Sequence, residues 1–210
     1  NTFHKNVNAA LILPEDELEI TGLNKIEAEI SDFTNQVFLQ TLFGRDFRLR
    51  AGAQHKRLNI TSETFNISES EDEEFTFEKS DFFSLFGELK FDTFDNKYYP
   101  NKGFLFDSEF QLYLSSTDYN NNFSEFSYAK ADLGYAFSLG DDISIVLDSK
   151  GGFKIGEDSN NSLNFALGGY GNNFINNFVA FYGYDFISLT GNSFVKGSIN
   201  IDYEFAKHHH

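Results

Sequence analysis

The stretch GFLFDSEFQLYLSS, residues 103–116, alternates apolar and polar side chains with a period of two residues. Its apolar positions are Phe104, Phe106, Phe110, Leu112 and Leu114. The opposing positions include Asp107, Glu109, Gln111 and Tyr113. This period indicates a β-strand with one apolar and one polar face. The run is longer than a typical strand of about 5–6 residues, and it is long enough for the roughly 9–11 residues that cross a bilayer.

Five further stretches repeat the pattern, at residues 45–58, 82–94, 126–139, 143–155 and 193–205. In a soluble sandwich the apolar face of such strands packs inward. In an outer-membrane barrel the apolar face meets lipid and the polar face lines the lumen. On the barrel interpretation the lumen-facing charged residues are Arg48, Arg50, Glu88, Lys90, Asp107, Glu109, Lys130, Asp132, Asp202 and Glu204.

Strand ends and connections favour the barrel. Interfacial aromatic girdles flank membrane-spanning strands, and the aromatic residues near strand ends are Phe104, Tyr135, Phe137, Tyr203 and Phe205. Short connections at 43–46 and 139–142, with a longer one at 95–103, fit periplasmic turns. Long connections at 66–74, 116–122 and 156–193 fit outer loops. The sequence therefore predicts an all-β, antiparallel transmembrane β-barrel of the outer-membrane type, with about nine or ten strands present.

The first 33 residues follow the pattern less clearly. NVNAALIL (6–13) and LEITGLNKIEAEISDF (18–33) fit two or three strands around the turn PEDE (14–17). The alternative is a helix over 23–33, which would place Leu23, Ile26, Ile30 and Phe33 on one face. We favour strands for this segment.

Charge excludes one class of partner. The 210 residues carry a net charge of −16, so a phosphate backbone would be repelled and we expect no nucleic-acid partner. There is no cysteine, which excludes disulfides and cysteine-based zinc sites.

A basic run fits either an anion or lipid-headgroup contact or pairing with lumen acids such as Glu88 and Asp107. It comprises Arg48, Arg50, Lys56 and Arg57.

The residues show no catalytic constellation. A serine lipase needs a Gly-x-Ser-x-Gly elbow, and the nearest match, GNSFV (191–195), lacks the final Gly. We expect His55 to be an interfacial residue rather than a ligand or base. The acidic segment SESEDEE (68–74) lacks the Asp spacing of a calcium loop. We therefore predict no metal, no cofactor and no enzymatic activity for this chain.

Two stretches resemble the BamA/TamA barrel superfamily of bacterial surface antigens. TFDNKYYPNKGFLFDSEFQLYL (93–114) is similar to its strand-turn-strand signature, carried here by Asp92, Asp95, Pro100 and Gly103. FALGGYGNNFINNFVAFYGYDF (165–186) is similar to its sixth extracellular loop, which folds back into the lumen. The corresponding residues are Gly168, Gly169, Tyr182, Gly183 and Tyr184.

Within that superfamily the sequence most resembles the C-terminal barrel of Bacteroidota patatin-like phospholipases, over residues 34–206. The stretches 37–58, 151–174 and 181–186 carry this resemblance. One position departs from the pattern, because Tyr182 stands where the loop tip normally has an Arg. An Arg there would pair with acidic lumen residues, whereas Tyr offers a hydroxyl and a ring.

The resemblance implies a larger, 16-stranded barrel with a lumen-folded loop at 156–193. Residues 1–33 would be N-terminal barrel strands, 34–206 the main barrel strands, and 207–210 a tail whose histidines are either a purification tag or native. N-terminal catalytic and periplasmic domains and the final strands would lie outside this chain. Expected partners are those missing parts, outer-membrane lipids and lipopolysaccharide, and a second copy or larger membrane complex covering an open edge at 193–206.

Three functions remain open at this point. The first is an outer-membrane translocator or anchor of a patatin-like phospholipase in a Bacteroidota species. The second is a barrel that inserts other proteins into the outer membrane. The third is a soluble all-β module that binds a ligand in its interior.

Overall fold

A computed structural model describes residues 2–8, 25–64, 73–117, 123–140, 142–156, 163–169, 177–185 and 188–205. The strands are β1 Thr2–Asn8, β2 Lys25–Phe43, β3 Phe47–Thr64, β4 Glu73–Asp92, β5 Gly103–Ser116, β6 Phe126–Leu139, β7 Ile143–Ile155, β8 Phe165–Leu167, β9 Phe178–Val179, β10 Leu189–Gly191 and β11 Ser193–Tyr203. Among the described residues, no helix has the length and apolar character to cross a membrane.

Eight strands form one antiparallel sheet in the order β1-β2-β3-β4-β5-β6-β7-β11. From β1 to β7 the order follows the chain, as expected when each strand turns back beside its predecessor. Between β7 and β11 the chain forms a second sheet, in which β8 lies between β10 and β9. In this small sheet β8 runs parallel to β9. The predicted all-β, antiparallel class is confirmed.

The two faces of the large sheet differ in exposure. On β4, Phe83 and Leu85 are each 43% exposed, whereas Phe82 and Ser84 are 0% exposed. Phe110 on β5 and Leu133 on β6 are exposed on the same side as Phe83. We call this side the outer face and the opposite side the inner wall. The apolar face of the alternation is therefore the exposed one, which a sandwich packing that face inward would bury.

Tight turns join β2 to β3 and β6 to β7, as the sequence predicts at 43–46 and 139–142. Gly44 (φ 68°) and Gly140 (φ 79°) lie in the left-handed region that these three-residue connections require. Because neighbouring strands are antiparallel, both turns lie at the same end of the sheet as the β4–β5 connection. The connections after β3 and β5 lie at the other end. We call these the turn end and the loop end.

The N-terminal segment is β-structure where it is described. β2 begins at Lys25 and continues unbroken to Phe43, so the helix alternative is wrong across residues 25–33. β2 also crosses the expected boundary between residues 33 and 34, so both segments share one strand. The turn at 14–17 lies outside the described residues.

The buried core lies between the inner wall and the small sheet. Wall residues from β2 to β6 and from β11 pack with Leu163, Phe165, Ala166, Phe178 and Val179. Tyr113 stacks on Phe126 with ring centroids 4.6 Å apart, and Phe165 meets Phe194 edge-on at 4.9 Å. Aromatic pairs in this range contribute about 0.5–1.5 kcal/mol beyond their burial.

Candidate functional site

Two rows of charged side chains cross the inner wall. Strand register aligns Arg50, Glu88, Glu109 and Lys130 in one row. Arg50 pairs with Glu88 at 2.9 Å, and Lys130 pairs with Glu109 at 3.0 Å. Cross-strand pairs of opposite charge stabilise neighbouring strands, so this row ties β3 to β4 and β5 to β6.

The second row lies one step nearer the turn end. Its members in strand order are Arg48, Lys90, Asp107, Asp132, Lys150 and Lys196. Lys150 pairs with Asp132 at 2.8 Å. Lys90 lies 3.1 Å from Asp92 and 4.0 Å from Asp107. All eight predicted lumen-facing residues between Arg48 and Asp132 thus lie in two adjacent rows on one face.

The remaining two predicted lumen residues lie near the turn end of β11. Asp202 faces Ser144 of β7 in the register, on the inner side of the sheet. Glu204 follows the end of β11, and its backbone N–H donates to the carbonyl oxygen of Asp142 at 2.8 Å. Neither belongs to the two charged rows.

The basic run is divided between the two faces. Arg48, Arg50 and Lys56 face inward, and Lys56 forms an ion pair with Asp32 of β2. Arg57 faces outward and is bound to Asp81 through its Nε at 2.8 Å. Pairing with lumen acids is therefore wrong for Arg57, because adjacent strand residues point to opposite faces.

A hydrogen-bonded network of mainly neutral side chains lies on the loop-end side of the charged rows, and the sequence pattern does not predict it. Gln111 Nε2 donates to Ser84 Oγ at 2.7 Å, and the Tyr128 hydroxyl bonds to Gln111 and, at 3.0 Å, to Glu109. Tyr128 and Gln111 are each 1% exposed. Alternation places these residues inward, but it carries no signal for which neutral side chains bond to each other.

The described part of the chain between β7 and β11 packs against the inner wall. We call this part, residues 163–169, 177–185 and 188–191, the inner segment. Gly168 (φ 133°) and Gly169 (φ 68°) have conformations that favour glycine. A Cβ on Gly168 would lie 1.9 Å from the Asp185 carbonyl oxygen. Gly169 N–H donates to the Tyr184 carbonyl at 2.8 Å, which brings the two predicted halves of the loop motif together.

The aromatic residues of the inner segment have two different environments. Phe165 and Phe178 are buried against the wall. Tyr182 and Tyr184 are 67% and 50% exposed, so the tip is not buried in the way expected for an aromatic plug. Residues 170–176 and 186–187 of the quoted motif lie outside the described residues.

One wall residue reaches the tip of the inner segment. Lys196 of β11 donates from Nζ to the Ala180 carbonyl oxygen at 2.9 Å, and its Nζ lies 5.5 Å from the centroid of the Tyr182 ring. A cavity of about 310 Å³ lies beside this contact. Its lining includes Asp132, Asp148, Lys150, Val179 and Ser198.

The strand-turn motif forms a compact corner at the turn end. Asp95 Oδ1 accepts hydrogen bonds from the backbone N–H groups of Asn101 and Lys102 at 2.9 and 3.2 Å. Asp92 Oδ1 accepts from the Phe94 N–H at 3.2 Å. Pro100 is buried, and Gly103 (φ 124°) leaves room for the Thr93 carbonyl. These bonds position the start of β5.

The outer face is apolar through its middle and aromatic at the turn end. Ring pairs there include Phe43–Phe47 at 5.6 Å, Phe91–Phe104 at 6.3 Å and Tyr135–Phe137 at 5.9 Å. Nearer the loop end the outward residues become polar, and His55 Nε2 lies 3.1 Å from Asp81. An apolar band with an aromatic edge is typical of a membrane-facing barrel wall.

GNSFV and the acidic segment are the two stretches that the sequence offered for catalysis and metal binding. Ser193 of GNSFV is the exposed first residue of β11. No group of three or more His, Asp or Glu side chains in the described ranges is placed to hold a metal ion. Residues 68–72 of the acidic segment lie outside those ranges.

An exposed apolar band, a charged inner wall and short turns at one end together define an outer-membrane β-barrel domain. The chain matches the OMP85 superfamily over residues 1–210 and belongs to it. This membership indicates the outer membrane of a Gram-negative bacterium. No curated protein matches the sequence. Family membership and the exposed outer face exclude the soluble ligand-binding module.

Proposed function

We propose that this barrel is the translocator and membrane anchor of a patatin-like phospholipase, in a secretion system of the type Vd kind, and that it is itself non-catalytic. The support is the resemblance carried by residues 37–58, 151–174 and 181–186. The source would be a member of the Bacteroidota. The outer face would contact membrane lipids and lipopolysaccharide.

The single observation that carries the translocator role is the inner wall. The row formed by Arg50, Glu88, Glu109 and Lys130 contains two cations and two anions. Its charges cancel within the pairs Arg50–Glu88 and Lys130–Glu109. This row is wetted by water but presents no strong field of one sign. It therefore suits the passage or resting of a polar polypeptide better than that of an apolar ligand.

The inner segment supports a gating role within this proposal. It covers part of the wall through buried contacts of Phe165 and Phe178, while its tip remains exposed. A segment with a buried core and an exposed tip can move at the tip without unfolding the barrel.

The experiment uses the gene product with whatever coding sequence precedes this chain. We expect a patatin-type domain upstream, and phospholipase activity on intact cells with a membrane-impermeant fluorogenic phospholipid. Its matched control replaces the upstream catalytic serine by alanine, which should remove the activity while keeping the barrel folded. A lipase found only in the cytoplasm or periplasm would refute the anchor role.

The second candidate is a barrel that inserts other outer-membrane proteins. The corner formed by Asp92, Asp95, Pro100 and Gly103, which resembles that of the BamA/TamA superfamily, favours it. Periplasmic repeats without a lipase domain upstream, together with loss of other barrels from the outer membrane on depletion, would favour insertion over anchoring.

A further inference from the structure

Lys196 is a wall cation whose hydrogen bond and ring contact are both made to the inner segment. In the strand register Lys196 lies directly opposite Lys150, which is itself bound to Asp132 at 2.8 Å. Like charges opposite each other destabilise neighbouring strands, so Lys196 does not serve the β7–β11 pairing. Asp148 is the carboxylate that interacts with Lys196 electrostatically, and it accepts a hydrogen bond from Asn200 at 2.8 Å.

The contacts of Lys196 lie at the tip of the inner segment. Its Nζ donates to the Ala180 carbonyl at 2.9 Å, and the ammonium lies 5.5 Å from the Tyr182 ring centroid. One ammonium group thus makes both a charge-assisted hydrogen bond and a cation–π contact with the tip. Tyr182 is the residue that stands in place of the Arg expected at the tip.

The buried residues of the segment directly precede its exposed tip. Phe178 and Val179 are buried in the aromatic core, and the chain then runs through Ala180 to the exposed Tyr182. Backbone bonds from Gly168 to Val179 (3.3 Å) and from Gly169 to Tyr184 (2.8 Å) join the strands of the segment to each other rather than to the wall. Lys196 is therefore a contact between the tip and the wall, and it lies beside the 310 Å³ cavity.

We propose that Lys196 is a positioning residue that holds the tip of the inner segment against the wall, a contact that we call the latch. The wall supplies the cation, and the tip supplies the Ala180 carbonyl and the Tyr182 ring. This reverses the arrangement that the resemblance implies, in which the tip carries the cation. The inference deepens the proposed gating role and rests on it for its biological purpose. Release of the tip would open the 310 Å³ cavity and uncover the wall beneath Val179.

The test measures how readily a water-soluble reagent reaches residue 179 of the inner segment, which is buried against the wall. Val179→Cys places a thiol at a position that is 3% exposed, and the chain has no other cysteine. The full gene product is labelled in outer-membrane vesicles with a water-soluble maleimide, and mass spectrometry follows modification of the peptide containing residue 179. Adding Lys196→Met should raise the rate about 10- to 100-fold, the loss expected for a charge-assisted hydrogen bond.

Two variants separate a latch from a general structural effect. Lys196→Arg keeps the charge and should stay within about threefold of the parent rate. Lys150→Met removes the neighbouring wall cation and its pair with Asp132, and should leave the rate unchanged. Equal rates for Lys196→Met and Lys150→Met would overturn the proposal, as would a lower melting temperature for Lys196→Met without faster labelling.

A charge exchange tests the contact itself. Tyr182→Arg alone sets two cations against each other and should accelerate labelling, and adding Lys196→Glu should restore the slow rate. A double variant as open as Tyr182→Arg alone would overturn the latch. Labelling requires no passenger, so failure here leaves the anchoring role standing, and an upstream sequence without a lipase leaves the latch standing.

Discussion

Gly152 offers a direct test of where the inner segment lies. An added Cβ would lie 2.7 Å from Phe194 Cε1, 2.9 Å from Phe165 Cζ and 3.1 Å from Lys130 Cγ. Carbon atoms in contact normally lie about 3.5–4.0 Å apart, so the rings must shift by roughly 0.6–1 Å. Phe165 is 1% exposed and has little room to move. Overpacking of this kind costs about 1–3 kcal/mol.

The neighbouring glycine supplies the matched control. A Cβ on Gly151, on the outer face, would meet the Phe194 carbonyl oxygen at 3.5 Å and Val195 Cγ2 at 3.8 Å, which are ordinary contacts. Gly→Ala within a strand gains about 0.5–1 kcal/mol of backbone entropy. We therefore expect Gly152→Ala to lower the free energy of unfolding by about 1–2 kcal/mol, and Gly151→Ala to leave it unchanged or slightly raised.

The assay follows the folded fraction in lipid vesicles against urea, using the different gel migration of folded and heat-denatured barrel. The chain contains no Trp, so electrophoresis is a better readout than intrinsic tryptophan fluorescence. Val179→Cys labelling should also accelerate in Gly152→Ala, because Phe165 is pushed off the wall. Equal unfolding midpoints for the two alanine variants would refute the packing of the inner segment on this side of β7.

Three more substitutions test other parts of the structure. Leu133→Arg places a charge on the apolar outer face and should destabilise the inserted barrel by about 2–4 kcal/mol, measured as the folded fraction in vesicles. Gly103→Ala should cost more than about 1 kcal/mol in the same urea titration, because φ is 124° and the new Cβ would lie 2.4 Å from a backbone carbonyl oxygen; an unchanged midpoint would contradict the corner geometry. Tyr128→Phe should cost about 1–3 kcal/mol by leaving buried acceptors without their donor, whereas Tyr135→Phe on the outer rim should change stability by less than about 0.5 kcal/mol. Equal effects of the two tyrosine variants would argue against the buried network.

Alternation was enough to predict most of the sheet. Each polar–apolar run became one strand, and the short turns at Gly44 and Gly140 lie where the sequence places them. The period of two also assigned the eight charged residues of the two rows to one face. This works because a strand places successive side chains on opposite faces, so a one-residue error would reverse the whole pattern.

The alternation of polar and apolar residues could not predict contacts between segments that are distant in sequence. Lys196 falls on the polar face of its strand, but its acceptor is a backbone carbonyl, and every residue has one of those. Arg57 belongs to a basic run in sequence but pairs on the outer face with Asp81. The exposure of Tyr182 and Tyr184 likewise depends on how the inner segment meets the wall, which composition does not encode.

The most direct test of the account is a spin-label scan along β4, at residues 82–91 in lipid vesicles. Nitroxide collisions with oxygen report contact with lipid, and collisions with a water-soluble nickel chelate report contact with water. Labels at the odd positions from 83 to 91 should be oxygen-accessible, and those at the even positions should not. Oxygen accessibility that fails to alternate, or that is highest at the even positions, would contradict the assignment of the apolar face to the membrane.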